Sequence, residues 1–205
     1  MTSNKTKEPE IVLISGYKRA GKDTTAQMLK EIFEENQLKV EILSFANTLK
    51  NIVCIIFDIS REQLDEFKNN ETEIGTYKWH RDHLEYEFNK LTNFRKVLTD
   101  IGNEALKSVF GEDIWVKDIQ KKIAASNADI IIIPDFRFKI EHINKAITVR
   151  VVNDDIVNKE THQSETEIEN FNFDVYLDNT GYQLTKETLS YKFADGFMIH
   201  LKNKK

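Results

Sequence analysis

The sequence predicts an α/β fold in which a five-stranded parallel sheet carries helices on both faces. Three observations lead there. The run "IVLIS" at 11–15 passes through a glycine-bearing loop straight into a helical pattern. Four consecutive isoleucines, bounded by polar residues and Pro134, read as a strand buried on both faces, as at the centre of a parallel sheet. Strand and helix patterns then alternate along the chain, as parallel crossovers require.

The elements follow in order. After the first strand, Ala26, Leu29, Ile32 and Phe33 fall on one helical face. "KVEILSF" at 39–45 reads as the second strand, and Leu49, Ile52, Val53, Ile56 and Phe57 then recur at helical spacing. Residues 60–92 are charged and weakly patterned, consistent with short helices and surface loop. Phe94, Leu98, Ile101, Ala105 and Val109 form a helical stripe over 94–110, and "DIWVKDIQKKIAA" continues as another helix after the Gly111 break. The isoleucine strand comes next, followed by "ITVRVV" at 147–152 and "FDVYL" at 173–177. A closing helix is expected over 184–199. There is no internal repeat and no low-complexity tract.

Length and composition bound the class. A chain of 205 residues suits one domain with a substantial core. Seven Gly, two Pro and an apolar fraction of 40% are those of an ordinary globular chain. The single cysteine, Cys54, excludes an intrachain disulfide and deprives a structural zinc site of its usual ligands. The opening "MTSNKTKEPE" has no apolar core of signal-peptide length and no stretch approaches membrane-spanning length, so a cytoplasmic protein without a membrane partner is expected. A formal net charge of −5 argues against nucleic acid as partner, because that affinity needs a surplus of Lys and Arg. Any polyanion is expected to be small and held locally.

Ligands of such sheets bind at the carboxyl ends of the strands, and the motifs fall there. In "SGYKRAGKDT", Gly16 and Gly21 let backbone N–H groups turn inward around phosphate oxygens. Lys22 reaches the outer phosphates, and the next helix offers its positive N-terminal end. Asp23 stands where the common form of this loop has Ser or Thr, with Thr24 one position later. Adenylate-kinase-type enzymes have Gly-Lys-Gly-Thr here, so on that comparison Asp23 replaces a glycine. Its carboxylate either accepts helix-start N–H groups or holds metal-bound water, or is a simple acid favoured by the helix dipole. Lys18 and Arg19 add two cations to the loop.

At the end of the isoleucine strand, Asp135 stands where a carboxylate can hold Mg²⁺ through water. Arg137, two residues on, can reach a transferring phosphoryl group. Glu141 is the weaker candidate, orienting that arginine. Farther upstream, Arg95 and Gly102 lie seven residues apart, on nearly one helical face. An arginine gripping a phosphate, a glycine admitting a base and Asn103 reading its edge would form one surface. Gly102 in mid-helix costs about 1 kcal/mol relative to Ala, which marks a close approach by a ligand or another element, and periodicity alone favours the second, tight helix packing with a solvated arginine. Lys50 could meet an acceptor phosphate, and Trp115 could stack on a base or fill core. His162 has no serine or cysteine nucleophile placed with it, which speaks against covalent catalysis.

Taken in order, "SGYKRAGKDT", "FANTLK", "FRKVLTDIGNE", "DIW", "PDFRF", "HQSE" and "LDNTG" resemble the deoxynucleoside monophosphate kinases of tailed bacteriophages, from Ile11 to about Leu189 and weakly across 58–92. Phosphomevalonate kinases share the loop, so the loop alone does not choose the acceptor. The resemblance implies a P-loop kinase three-layer sandwich, with a substrate-binding insertion at about 46–112 and a lid-like segment at about 153–168 that includes "HQSE". It implies ATP and Mg²⁺ as cofactors, a deoxynucleoside monophosphate as small-molecule substrate, and a homodimer as a candidate assembly. Gly16, Arg19, Gly21, Lys22, Asp23 and Thr24 would then cradle the ATP phosphates, with Thr24 and Asp135 near the metal. Lys18 would point to the acceptor phosphate; Lys50, Arg95, Gly102, Asn103, Trp115, Asp135 and Arg137 would line the deoxynucleotide site. Lys22, Arg19 and Arg137 would be catalytic. The sequence departs from the family at Thr48, where proline is frequent, and at Asn103, where threonine is usual, which leaves the accepted base open.

Overall fold

The computed structural model describes residues 8–69, 79–81, 84–86, 93–156, 170–191 and 197. In chain order, β1 (Glu10–Ser15), α1 (Lys22–Glu35) and β2 (Val40–Ile42) precede α2 (Ala46–Phe57), α3 (Arg61–Asn69), β3 (Trp79–Arg81) and β4 (Leu84–Tyr86). Next, α4 (Phe94–Thr99) continues as a π-helical segment, Asp100–Lys107, into the short turn α5 (Ser108–Phe110). The chain then forms α6 (Ile114–Ala125), β5 (Ile130–Ile133), β6 (Ile147–Val152), β7 (Val175–Asp178) and α7 (Lys186–Leu189). These elements gather into two compact units, Met1–Phe45 with Val116–Lys205, and Ala46–Trp115.

The first unit is an α/β structure around a five-stranded sheet of order β2-β5-β1-β6-β7. Every pairing in it is parallel and helices flank it, an arrangement compatible with three layers. β5 lies between β2 and β1, and its four isoleucines are fully buried, as a β-branched run without a polar face requires. Val12, Ile14, Val149 and Val151 face one way and pack on Ala26, Leu29 and Phe33 of α1. Each such side chain contributes roughly 1.5–3 kcal/mol by leaving water. Leu189 of α7 and Phe197 join this core, with the Phe197 ring 5.3 Å from that of Phe33.

Two strands are shorter than the sequence predicts, and side chains explain why. β2 stops at Ile42 because Ser44 and the Phe45 N–H turn to a carboxylate, that of Asp135. β7 starts only at Val175, because Asp174 bonds the Thr148 N–H and hydroxyl while Phe173 enters an aromatic cluster with Phe136 and Phe171. Of the closing helix, Lys186–Leu189 is described, with Thr185 as its N-cap; residues 192–196 and 198–199 lie outside the described residues.

The second unit is helical with a small antiparallel pair, β3 and β4. Its core joins Val53, Phe57, Ile59, Leu64, Phe94 and Val97, with the Phe94 ring 5.1 Å from Phe57 and 5.5 Å from Phe67. The stripe predicted over 94–110 does not stay on one face. The π-helical segment widens the turn, so Phe94, Val97 and Gly102 are buried while Ala105 and Val109 are exposed. Among the described residues, no helix is long and apolar enough to cross a membrane.

Candidate functional site

The glycine loop runs from the end of β1 to the start of α1. A Cβ at Gly16 would sit 2.6 Å from the Val151 carbonyl, and Gly21, at φ 97°, leaves no room for one beside the Asn179 amide. Glycine is therefore required at both by contact with the neighbouring strand ends. Lys22 Nζ donates to the Gly16 and Tyr17 carbonyls, each at 2.7 Å, so its ammonium arches back over the loop. No side chain caps α1, which leaves its first N–H groups for an anion. Arg19 adopts φ 67°, a left-handed conformation that costs an L-residue about 1–2 kcal/mol. Its exposed guanidinium makes no hydrogen bond or ion pair with the described residues.

A cleft of about 290 Å³ opens beside this loop, lined by Arg19, Lys22, Asp23, Thr24, Met28 and Tyr182 among others. Its far wall comes from the turn after β7. Buried Asn179 holds that turn to the loop: its Nδ2 donates to the Ala20 carbonyl at 2.8 Å, and its Oδ1 accepts from the Leu184 N–H at 3.1 Å. Its own N–H donates to the Val152 carbonyl at 2.7 Å. Asp23 and Thr24 are exposed in the first turn of α1, and the Asp23 carboxylate accepts none of the helix-start N–H groups. Thr25 Oγ1 is buried without a hydrogen-bond partner among the described residues.

The end of β5 lies beside the loop, since the Phe136 N–H donates to the Ile14 carbonyl at 3.2 Å. Asp135 Oδ2 accepts from Ser44 Oγ at 2.7 Å and Oδ1 from the Phe45 N–H at 3.1 Å. The Arg137 side chain makes no hydrogen bond or ion pair among the described residues. Glu141 is buried, and one of its oxygens accepts the Arg137 and Phe138 N–H groups at 2.7 and 3.0 Å. It thus shapes the backbone carrying Arg137. Burial pushes its carboxyl up to about 7, against the pull of those N–H groups and of the Arg137 charge, with Asp135 adding to the rise.

The remaining sequence candidates stand as follows. Lys18 is half-buried in the loop. In the second unit, Lys50 Nζ lies 3.4 Å from Asp65, which also holds Lys68 at 2.8 Å. Burial and the Lys68 charge pull the Lys50 ammonium below its ordinary range, with Asp65 opposing. Arg95 is half-buried and its Nε is enclosed without an acceptor among the described residues. A Cβ at Gly102 would meet Leu49 Cδ2 of α2 at 2.6 Å, so a helix neighbour occupies the space above it. Asn103 is half-buried and Trp115 buried. "HQSE" at 162–165, and most of the expected lid, lie outside the described residues.

The first unit therefore gathers Lys22, Arg19, Asp23 and Thr24 around one cleft, with Arg137 beyond the end of the adjacent strand. The loop amides and cations suit a phosphate chain. Among the described residues no three His, Cys, Asp or Glu side chains converge on a metal position. A magnesium ion carried on phosphates needs only one or two protein oxygens; of the two expected, Thr24 lines the cleft and Asp135 stands past the end of the adjacent strand. Sequence reasoning assigned no role to Asn179, Tyr182, Leu184, Thr25 or Met28. The asparagine and glycine of "LDNTG" were the available signal for the wall. No protein-family model matches the chain, and no curated protein matches it in sequence.

Proposed function

We propose that the protein is a deoxynucleoside monophosphate kinase, transferring the γ-phosphoryl group of ATP to a deoxynucleoside monophosphate to give ADP and the deoxynucleoside diphosphate. The observation that supports phosphoryl transfer from ATP is the glycine loop; the deoxynucleotide as acceptor rests on the resemblance carried by the Arg95-to-Gly102 spacing and Trp115. The loop combines the arched Lys22, an uncapped α1 and a strained, unpaired Arg19 around a single cleft. A simple structural turn would use glycine at position 19 and would need no cation there.

The acceptor phosphate is ionised at neutral pH and is itself the nucleophile, so no general base is needed. Its oxygen bonds to the γ-phosphorus as the bond from that phosphorus to the bridging oxygen breaks, and ADP leaves with the electron pair. Positioning and charge do the catalysis. Lys22 and Arg19 neutralise the outer ATP phosphates, and Arg137 meets the charge on the equatorial oxygens. Lys18 faces the acceptor phosphate, and Lys50 and Arg95 are the further cations that the resemblance assigns to the acceptor. Magnesium supplies further positive charge to the outer phosphates when bound, with Thr24 and Asp135 as the residues that would hold it.

A coupled ADP-release assay over dTMP, dGMP, dCMP and dAMP, with 5-phosphomevalonate as non-nucleotide control, tests the reading. Turnover with at least one deoxynucleotide is expected; activity with phosphomevalonate alone would overturn it. Lys22→Ala should lower kcat/KM by about 100-fold or more while the far-ultraviolet spectrum stays unchanged.

A further inference from the structure

Arg150 sits near the carboxyl end of β6, paired in register with Ser15, the last residue before the glycine loop. It is 8% exposed, the only buried arginine among the described residues. Its guanidinium carbon lies 4.9 Å from the centre of the Tyr17 ring and 5.6 Å from that of Phe173, and Nη1 donates to Ser15 Oγ at 3.0 Å. No carboxylate pairs with it among the described residues. An arginine cannot shed its proton, so a full charge with most of its donor fork unused is buried beside the loop. Aromatic faces offset part of that cost, and among the described residues the fork's hydrogen bond is the one from Nη1 to Ser15; its other N–H groups are not fully enclosed and stay open to an incoming acceptor. An oxyanion would satisfy both the charge and the fork.

Strand parity says which ligand that anion belongs to. Ile14, Val149 and Val151 point toward α1, on the side of the cleft lined by Met28 and Leu184. Ser15 and Arg150 alternate with them and point to the opposite face, where Phe136 and Phe173 pack. The cleft and Arg150 thus lie on opposite faces of the sheet, and Arg150 borders the glycine loop through Tyr17. We propose that Arg150 binds the phosphate of the acceptor, as the fixed cation on the sheet face opposite the ATP cleft. The proposal rests on the kinase reading only for the identity of the acceptor; the anion site itself follows from a largely buried guanidinium that no carboxylate pairs among the described residues and whose fork is only partly used.

Calorimetric titration of wild type, Arg150→Lys and Arg150→Met tests it. The probes are each deoxynucleoside monophosphate, its parent deoxynucleoside, 5-phosphomevalonate, and the non-hydrolysable ATP analogue AMP-PNP with magnesium. Arg150→Met should weaken monophosphate binding at least about tenfold, and Arg150→Lys by less, because it keeps the charge but loses the fork. AMP-PNP and parent-deoxynucleoside affinities should stay within about twofold of wild type. Unchanged monophosphate affinity in either folded variant, or an equal loss for AMP-PNP, would overturn the proposal. If Arg150→Met does not fold, Arg150→Lys decides by the same comparison. Binding of phosphomevalonate and no deoxynucleotide would sink the nucleotide reading alone, and a tenfold loss on that probe would still support Arg150. A wild type that binds no phosphate monoester refutes both.

Discussion

Arg19 shows at the residue scale how local strain and chemistry trade against each other. Its left-handed backbone would suit glycine, so Arg19→Gly should stabilise the fold by about 1 kcal/mol. The same change should lower kcat/KM for ATP at least about tenfold, through loss of the unpaired guanidinium. Thermal melts and steady-state kinetics on one preparation check both signs; a fall in stability would refute the strain argument. Glu141 offers a second test. Its native carboxyl is pushed up to about 7 from an ordinary 4.5, so the folded state binds the proton more tightly than the unfolded chain. Stability from this group is complete below about pH 4.5 and is lost as pH rises to about 7. Urea unfolding in EDTA should therefore show wild type falling relative to Glu141→Gln between pH 5 and 7.5, by on the order of 2 kcal/mol. Parallel curves would mean that the two backbone N–H groups hold the carboxylate ionised throughout.

Among the elements, the helix after Asn93 departs most from its pattern. Regular helical spacing would keep Val109 with Phe94, but the π-helical segment turns the later residues to solvent and buries Gly102 against Leu49. Gly102→Ala gains helix propensity of about 1 kcal/mol and loses a similar amount by pressing on the Leu49 methyl. Alone it should be neutral to destabilising by about 1 kcal/mol, and in a Leu49→Ala background it should stabilise by about 1 kcal/mol. A double-mutant cycle by denaturant unfolding reads the change of sign. The turn after β7 works differently. It carries little core of its own, and Asn179 ties it to Ala20 across 159 positions of sequence. Asn179→Ala strands the Leu184 N–H and frees the cleft wall, costing about 2 kcal/mol and weakening ATP binding.

The chain as a whole forms two compact units, and the proposed donor and acceptor residues are distributed between them unequally. All residues lining the cleft lie in the sheet unit, whereas Lys50 and Arg95 lie in the helical one. Hydrogen exchange with AMP-PNP should accordingly protect residues 16–25 and 179–184 and leave 94–110 unchanged. A deoxynucleoside monophosphate should protect 94–99. Protection of 94–99 by AMP-PNP alone would contradict the assignment of that helix to the acceptor.

Short-range pattern is what the sequence by itself determined. A β-branched run, a glycine loop and an amphipathic helix are contiguous, and four adjacent isoleucines can only be buried between other strands; both therefore read directly as β1 with α1 and as the interior strand β5. Residues whose place depends on strand order were not legible in this way. β6 and β7 come next to β1 only when the sheet assembles, and that brings Asn179 to the loop and Arg150 beneath Tyr17. An alternating strand pattern places an arginine on one face but does not say what lies on that face. The tertiary structure decided it, because a buried charge is defined by the rings and the hydroxyl around it, and these come from β1, the glycine loop and the segment before β7.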